Sequence, residues 1–145
     1  AALGNLAANA ENQVTIASAG AIPPLVELVR SGSAEGKANA ATALRNLAAN
    51  AENRVTIASA GAIPPLVELV RSDSAEGKAK AAAALGNLAA NAENQVTIAS
   101  AGAIPPLVEL VRSGSAEGKA KAATALRILA TNNAENQATI ASAGV

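Results

Sequence analysis

A unit of 41 residues is repeated along this chain with very few changes. Segment 10–50 returns as 51–91 with five of its 41 positions altered, and the unit begins again at residue 92. Such a unit is a supersecondary element that cannot bury its apolar face alone, so neighbouring copies must stack against one another. The sequence therefore predicts an array, in which any function belongs to a surface built by repetition.

Composition restricts how the interior of such an array can be filled. Half of the residues are apolar, yet Phe, Trp, Tyr, Met, Cys and His are all absent, so the core must consist of Leu, Ile, Val and Ala. Lys and Arg number 11 and Asp and Glu number 11, so there is no basic field to attract nucleic acid or anionic lipid. The near-identical repeats and the missing residue types indicate a consensus-built or recently duplicated sequence.

Groups that perform catalysis or bind metals are also scarce. Without His or Cys and with a single Asp, the chain offers no usual nucleophile, base or metal cluster, so we expect no enzyme, no metal and no cofactor. Segment 32–37, GSAEGK, resembles a phosphate-binding loop, but its spacing is one residue short and no strand precedes it. No apolar run reaches ~18 residues and no secretory signal is present, so a soluble chain is expected.

The first half of each repeat predicts two helices joined by a sharp turn. An Asn suits the N-cap of the short segment 11–19, although the β-branched run in that segment makes a strand the competing interpretation. Gly20 fits a left-handed residue after the first helix, and Pro23 and Pro24 fit the opening turn of the second. The second segment, Pro24 to Arg30, has most of its apolar residues on one stripe, and its Glu and Arg are interpreted as a solvent-exposed pair.

The second half of each repeat predicts a break followed by the longest helix. Gly32 follows the second helix, and its replacement by Asp73 in the next unit is attributed to the ability of Asp to adopt positive φ. Ser33 and its equivalents suit N-caps. The third segment, about 34–49, has one apolar stripe and an opposite face that is small or polar. That face consists of Glu35, Ala38, Asn39, Thr42, Asn46 and Ala49.

This order of helices resembles the armadillo repeat. The resemblance is carried by the blocks AGAIPPLVELVRS and ALRNLAAN, which look most like plant and algal armadillo domains and consensus arrays engineered from them. HEAT repeats have a similar length but two helices per unit, so they fit less well. The resemblance implies an all-α, right-handed α-solenoid of three-helix repeats. It comprises a third-helix fragment at 1–9, full repeats at 10–50, 51–91 and 92–133, and an orphan first helix at 134–145.

The resemblance also implies a concave groove on the third helices that binds an extended peptide. In the family an Asn on each third helix hydrogen-bonds the peptide backbone, because a carboxamide both donates and accepts. The matching residues here are Asn5, Asn46 and Asn87, whereas Ile128 stands at the fourth position. The alternative is that these Asn residues only cap or brace neighbouring helices.

The residues around the Asn positions bear on which peptide would bind. Nuclear-import adaptors place a Trp four residues before the Asn, but this chain has Thr42, Ala83 and Thr124 there. Basic residues on or beside the groove would repel a basic peptide, so we expect a neutral or acidic peptide or protein segment. The remaining candidate contacts are Asn39, Lys80, Lys121, Arg45 and Arg127.

Apolar residues near the two ends of the sequence suggest a second kind of interaction. Neither end has the polar cap that arrays normally carry, so we expect the ends to associate as a head-to-tail contact or a homodimer. The residues buried by this contact would be Leu3, Leu6, Ile140 and Val145. A structural array without a ligand, interacting only through its ends, is therefore the alternative to a peptide-binding scaffold, and frayed ends are the alternative to association.

Overall fold

The structure, a computed structural model, describes residues 20–131 and 133–143, and within these ranges it contains nine helices and no strand. The predicted all-α fold is thereby confirmed for the described residues. Residues 1–19, among them Leu3, Asn5 and Leu6, lie outside these ranges, as does Val145. The helices are α1 (Ile22–Ser31), α2 (Ala34–Leu47), α3 (Ala51–Ser59), α4 (Ile63–Val70), α5 (Ala75–Leu88), α6 (Ala92–Ser100), α7 (Ile104–Ser113), α8 (Ala116–Ala130) and α9 (Ala134–Ser142).

The first helix of each repeat and the turn after it follow the predicted chemistry. Asn50 and Asn91 are the N-caps of α3 and α6, and their side-chain oxygens accept from backbone N–H groups three residues later at 3.2 and 3.0 Å. Gly61 and Gly102 both have φ of 83°, the left-handed conformation that a sharp helix–helix turn requires. The β-branched segments of α3 and α6 are helical, so the strand interpretation is wrong for these repeats.

The second helices begin earlier than predicted, and they do not all end alike. α1, α4 and α7 start at an Ile, and the two Pro residues follow it within the first turn, where a missing N–H group costs least. α1 and α7 have 10 residues and end before a Gly, whereas α4 has 8. Gly32 has φ of −76°, so the explanation of Asp73 by positive φ was wrong.

A close approach, not an unusual φ, accounts for the Gly at the end of α1. A Cβ on Gly32 would lie 2.6 Å from both the carbonyl oxygen and the Cδ1 atom of Leu28. At Gly114 the corresponding distances to Leu110 are 2.6 and 2.5 Å. Asp73 cannot enter such a position, and α4 accordingly ends at Val70, with Arg71 as its C-cap.

The third helices form the continuous layer of the solenoid. α5 packs side by side with both α2 and α8, and each second helix packs on the third helix of its own repeat. Ser33, Ser74 and Ser115 cap the third helices as predicted, each accepting a backbone N–H bond at 2.9 to 3.1 Å. The core is built from Leu, Ile, Val and Ala. Ala38, which the sequence placed on the polar face, is buried with 1% of its surface exposed.

No helix among the described residues is long and apolar enough to span a membrane. The helices are short, and successive repeats place their third helices side by side.

Candidate functional site

The polar sides of α2, α5 and α8 lie next to one another and carry most of the predicted site residues. We call this surface the third-helix face. Asn39 is exposed there, while Thr42, Asn46 and Asn87 are each half-buried. The residues that define the face are Asn39, Thr42, Arg45 and Asn46 on α2, Lys80, Ala83, Gly86 and Asn87 on α5, and Lys121, Thr124, Arg127 and Ile128 on α8.

A cavity of about 180 Å³ opens on the third-helix face over α5, and we call it the central cavity. It brings together side chains from three consecutive third helices, including four of the predicted site residues. No acidic residue is among those that line it. The lining residues are Arg45, Ala82, Ala83, Gly86, Asn87, Lys121 and Thr124.

Asn87 connects two adjacent third helices. Its Nδ2 atom donates to the carbonyl oxygen of Arg45 at 2.9 Å. This hydrogen bond is the bracing role that was the alternative to peptide binding. A carboxamide has two donor hydrogens and an acceptor oxygen, so this one bond leaves a second N–H and the oxygen for the backbone of a ligand. The two roles of Asn87 are therefore compatible.

The cations of the third-helix face differ in whether they are neutralised. Lys80 Nζ lies 3.2 Å from Glu117 Oε2, an ion pair that links α5 to α8. Arg45, Lys121 and Arg127 make no ion pair within the described part of the chain. The face therefore carries a local excess of positive charge, although the whole chain has a formal charge of zero.

The charged pairs on the second helices are solvent-exposed, as predicted. Glu27 accepts from Ser31 Oγ and from Arg30 Nη1, both at 3.0 Å. Both bonds favour the carboxylate, and they hold the pKa of Glu27 below its ordinary value. Arg71 lies 3.4 Å from Glu68 and also donates to the carbonyl oxygen of Gly102 at 3.2 Å. These contacts hold the charged side chains in place on the solvent-exposed side of the second helices.

Sequence reasoning missed a set of buried amides on the first helices. Asn53, Asn94 and Asn136 each donate from Nδ2 to the carbonyl oxygen of the Leu that lies in the last turn of the preceding third helix, at 3.0, 3.0 and 2.9 Å. The available signal was an Asn kept at the third position of every short helix, where its helix propensity is poor. These residues fix the first helix of each repeat behind the third helix before it.

Repeated three-helix units with a shared third-helix face define the class of this protein as an α-solenoid. Its family follows from the sequence match: residues 9–49, 50–90 and 91–131 each match the Armadillo/beta-catenin-like repeat. The chain therefore belongs to the armadillo repeat family. No sequence among the curated proteins matches it significantly.

Solved structures with this fold include several designed proteins. A designed armadillo repeat protein in complex with the peptide (KR)4 is 34% identical, with a TM-score of 0.91 over 98% of this chain and 61% of that one. Computationally designed armadillo repeat proteins for modular peptide recognition give 36% identity, a TM-score of 0.90, and coverage of 98% and 61%. Another designed armadillo repeat protein is 38% identical, with a TM-score of 0.92 over 99% of this chain and 61% of that one. This chain thus spans about three fifths of each.

Proposed function

We propose that this protein is a non-enzymatic scaffold that binds an extended peptide or protein segment along its third-helix face. The observation that carries the proposal is the central cavity, whose polar lining comes from α2, α5 and α8 together. A ligand lying across these helices would contact equivalent positions in successive repeats. The similar designed protein that holds the peptide (KR)4 supports this general mode of binding.

In this proposal the Asn residues of the third-helix face recognise the backbone of the peptide. Asn46 and Asn87 occupy equivalent positions on adjacent third helices, and Asn5 is their sequence equivalent one unit earlier. A regular series of carboxamides can satisfy the N–H and C=O groups of an extended chain without reading its sequence. Ile128 offers no such group, so the series ends at α5.

The charge of the ligand is expected to differ from that of (KR)4. Arg45, Lys121 and Arg127 have no ion-pair partner within the described residues, and they would repel Lys and Arg side chains. Thr42 and Thr124 stand where an aromatic residue would pack the stems of basic side chains. We therefore propose a neutral or acidic ligand, with Asn39 at the margin of the contact surface.

Titration of an acidic or neutral extended peptide tests this function. The double variant Asn46→Ala, Asn87→Ala should bind roughly tenfold more weakly or worse, because each lost backbone contact contributes ~0.5–1.5 kcal/mol. The matched control is Thr56→Ala, Thr97→Ala, which truncates two exposed polar residues on the first helices. Urea unfolding of both variants separates a binding defect from the loss of the Asn87 brace. Equal affinity for both double variants would exclude the Asn series.

A structural array that associates with itself is the second candidate function. A depression of about 270 Å³ on α7, α8 and α9 has a wholly apolar floor. Equivalent residues one repeat earlier, such as Val70, Leu85 and Ile98, are fully covered by the next unit. Sedimentation over a micromolar concentration series would detect a second copy on this surface, and a constant monomer mass would exclude it. The lining residues are Val111, Ala123, Leu126, Arg127, Ala130 and Ile140.

A further inference from the structure

The few differences between repeats are concentrated on the third-helix face. The units 10–50 and 51–91 differ at five positions, and three of these five lie on that face. A chain that otherwise repeats itself almost perfectly therefore varies where successive repeats would meet a ligand. The differing pairs are Gln13/Arg54, Gly32/Asp73, Asn39/Lys80, Thr42/Ala83 and Arg45/Gly86.

Two of these differences lie in the lining of the central cavity. Ala83 and Gly86 on α5 replace the Thr and Arg that α2 and α8 carry at the equivalent positions. A Cβ on Gly86 would lie 3.5 Å from the Cα atom of Ala125, so a side chain at this position would lie in van der Waals contact with α8. The middle repeat thus forms a depression, with larger polar side chains on both sides.

The walls of this depression are cationic and are not neutralised by the protein. Arg45 on one side and Lys121 on the other lack ion-pair partners within the described residues, and the lining contains no carboxylate. Lys80, another cation of the third-helix face, forms an ion pair with Glu117. An anion between Arg45 and Lys121 would form charge-assisted hydrogen bonds, which are stronger than neutral ones.

We propose that the central cavity binds the carboxylate of one Asp or Glu side chain in an extended peptide, a role that rests on the proposed function. Arg45 and Lys121 supply the charge, and Thr124 and the remaining amide hydrogen of Asn87 are neutral donors at the same site. Gly86 on α5 is the equivalent of Arg45 on α2, and because it has no side chain it leaves this position of the face open. The ligand therefore has one preferred acidic position, aligned with the middle repeat.

Two probe peptides separate this subsite from general peptide binding. Acetyl-(Ser-Glu)4-amide and acetyl-(Ser-Gln)4-amide have the same length and nearly the same shape, and they differ in charge. Calorimetry should show the Glu peptide binding roughly tenfold more tightly. Single Glu residues placed in turn within the Gln peptide should restore most of that gain at one position. Equal affinity of the two peptides would overturn the subsite.

Three variants test the residues of the subsite. Lys121→Gln should weaken binding of the Glu peptide roughly three- to tenfold. Lys119→Gln makes the same change in charge on the exposed part of the same helix, and it should change affinity by less than about twofold. Gly86→Arg adds positive charge but fills the cavity, so it should weaken binding. Equal effects at Lys119 and Lys121, or tighter binding by Gly86→Arg, would overturn the proposal.

The outcomes distinguish the subsite from the function on which it rests. If neither peptide binds, both proposals fail. If both peptides bind equally and binding is lost in the Asn46→Ala, Asn87→Ala variant, the scaffold function stands and the carboxylate subsite fails. A competition with inorganic phosphate and with chloride, at matched ionic strength, tests whether the cavity binds a free anion. If phosphate displaces the Glu peptide more than chloride does, the cavity is a site for a free anion instead of a peptide carboxylate.

Discussion

At the scale of single residues, the buried amides of the first helices connect one repeat to the next. Asn94 donates to the carbonyl oxygen of Leu88 at 3.0 Å and to that of Arg54 at 3.3 Å, and it is 5% exposed. The first of these acceptors lies near the end of a third helix, where backbone carbonyls have no partner within the helix. The Leu88 carbonyl also accepts from the backbone N–H of Asn91 at 3.2 Å, so Asn94 adds a second donor at the helix end and connects its repeat to the preceding one.

Replacing this amide should cost more stability than replacing an exposed one. Asn94→Ala removes two hydrogen bonds that connect its repeat to the preceding one, and we expect a loss of about 1–3 kcal/mol in the free energy of unfolding. The matched control is Asn39→Ala on the exposed side of α2, expected to stay within ~0.5 kcal/mol. Urea denaturation followed by circular dichroism measures both, and similar midpoints for the two variants would contradict this account.

Which polar residues are buried could not be read from the repeat itself. The Asn that caps a first helix is predictable, since Asn50 precedes an apolar segment and accepts locally from Asn53. The burial of Asn53 is not predictable in this way, because its hydrogen-bond acceptor, Leu47, belongs to the preceding third helix. Asn87 shows the same limit: its position on the face was predictable, but its bond to Arg45 depends on how two helices pack.

At the scale of helices, the second helix shows how one residue changes the length of an element. α1 and α7 include the Arg and Ser residues of the sequence VRS, whereas α4 ends at Val70, before them. The three segments are otherwise identical in sequence through this Ser, and the next residue is Gly, Asp and Gly in turn. The absence of these two residues from α4 is therefore attributable to the Cβ of Asp73.

Exchanging the residue at this position should exchange the helix lengths. Asp73→Gly should extend α4 through Ser72, because it removes the clash of Cβ with the carbonyl at the helix end. Carbon-13 Cα shifts of Arg71 and Ser72 should then move towards helical values. Gly114→Asp is the reciprocal variant and should unwind the end of α7. Unchanged shifts in both variants would show that the residue does not determine where the helix ends.

The helices themselves were largely predictable, and the exception has a physical reason. Local signals, such as Gly61 in its left-handed turn and Ser74 as an N-cap, act over a few residues and are visible in the sequence. The function of Gly32 was misassigned because two different constraints, positive φ and close approach, select the same residue. The φ of −76° at Gly32 and the short distance from its position to Leu28 tell them apart.

At the scale of the whole molecule, stability comes from interfaces between neighbouring repeats. α5 lies between α2 and α8 and buries residues along most of its length, including Ala81, Leu85 and Leu88. Contacts such as the Lys80–Glu117 ion pair also cross from one repeat to the next. The 41-residue spacing predicted that repeats stack, but it could not indicate which cations such a contact would neutralise and which, like Lys121, make no ion pair within the described residues.

This arrangement predicts a gradient of local stability along the chain. In a solenoid each repeat contacts only its neighbours, so a helix packed on both sides opens less often than one packed on a single side. We expect the amide hydrogens of α5 to exchange most slowly. Those of α9, whose one buried residue is Asn136, should exchange fastest among the described helices.

Hydrogen exchange measured by mass spectrometry, at several protein concentrations, tests this gradient. Leu85→Ala should speed exchange in α2, α5 and α8 together, because Leu85 lies in the layer these helices share and its loss costs roughly 2–5 kcal/mol. Uniform protection from α1 to α9 would contradict nearest-neighbour stability. If protection of α9 rises with protein concentration while that of α5 is unchanged, the apolar surface beside Ile140 is covered by a second copy, because only association of that end depends on concentration.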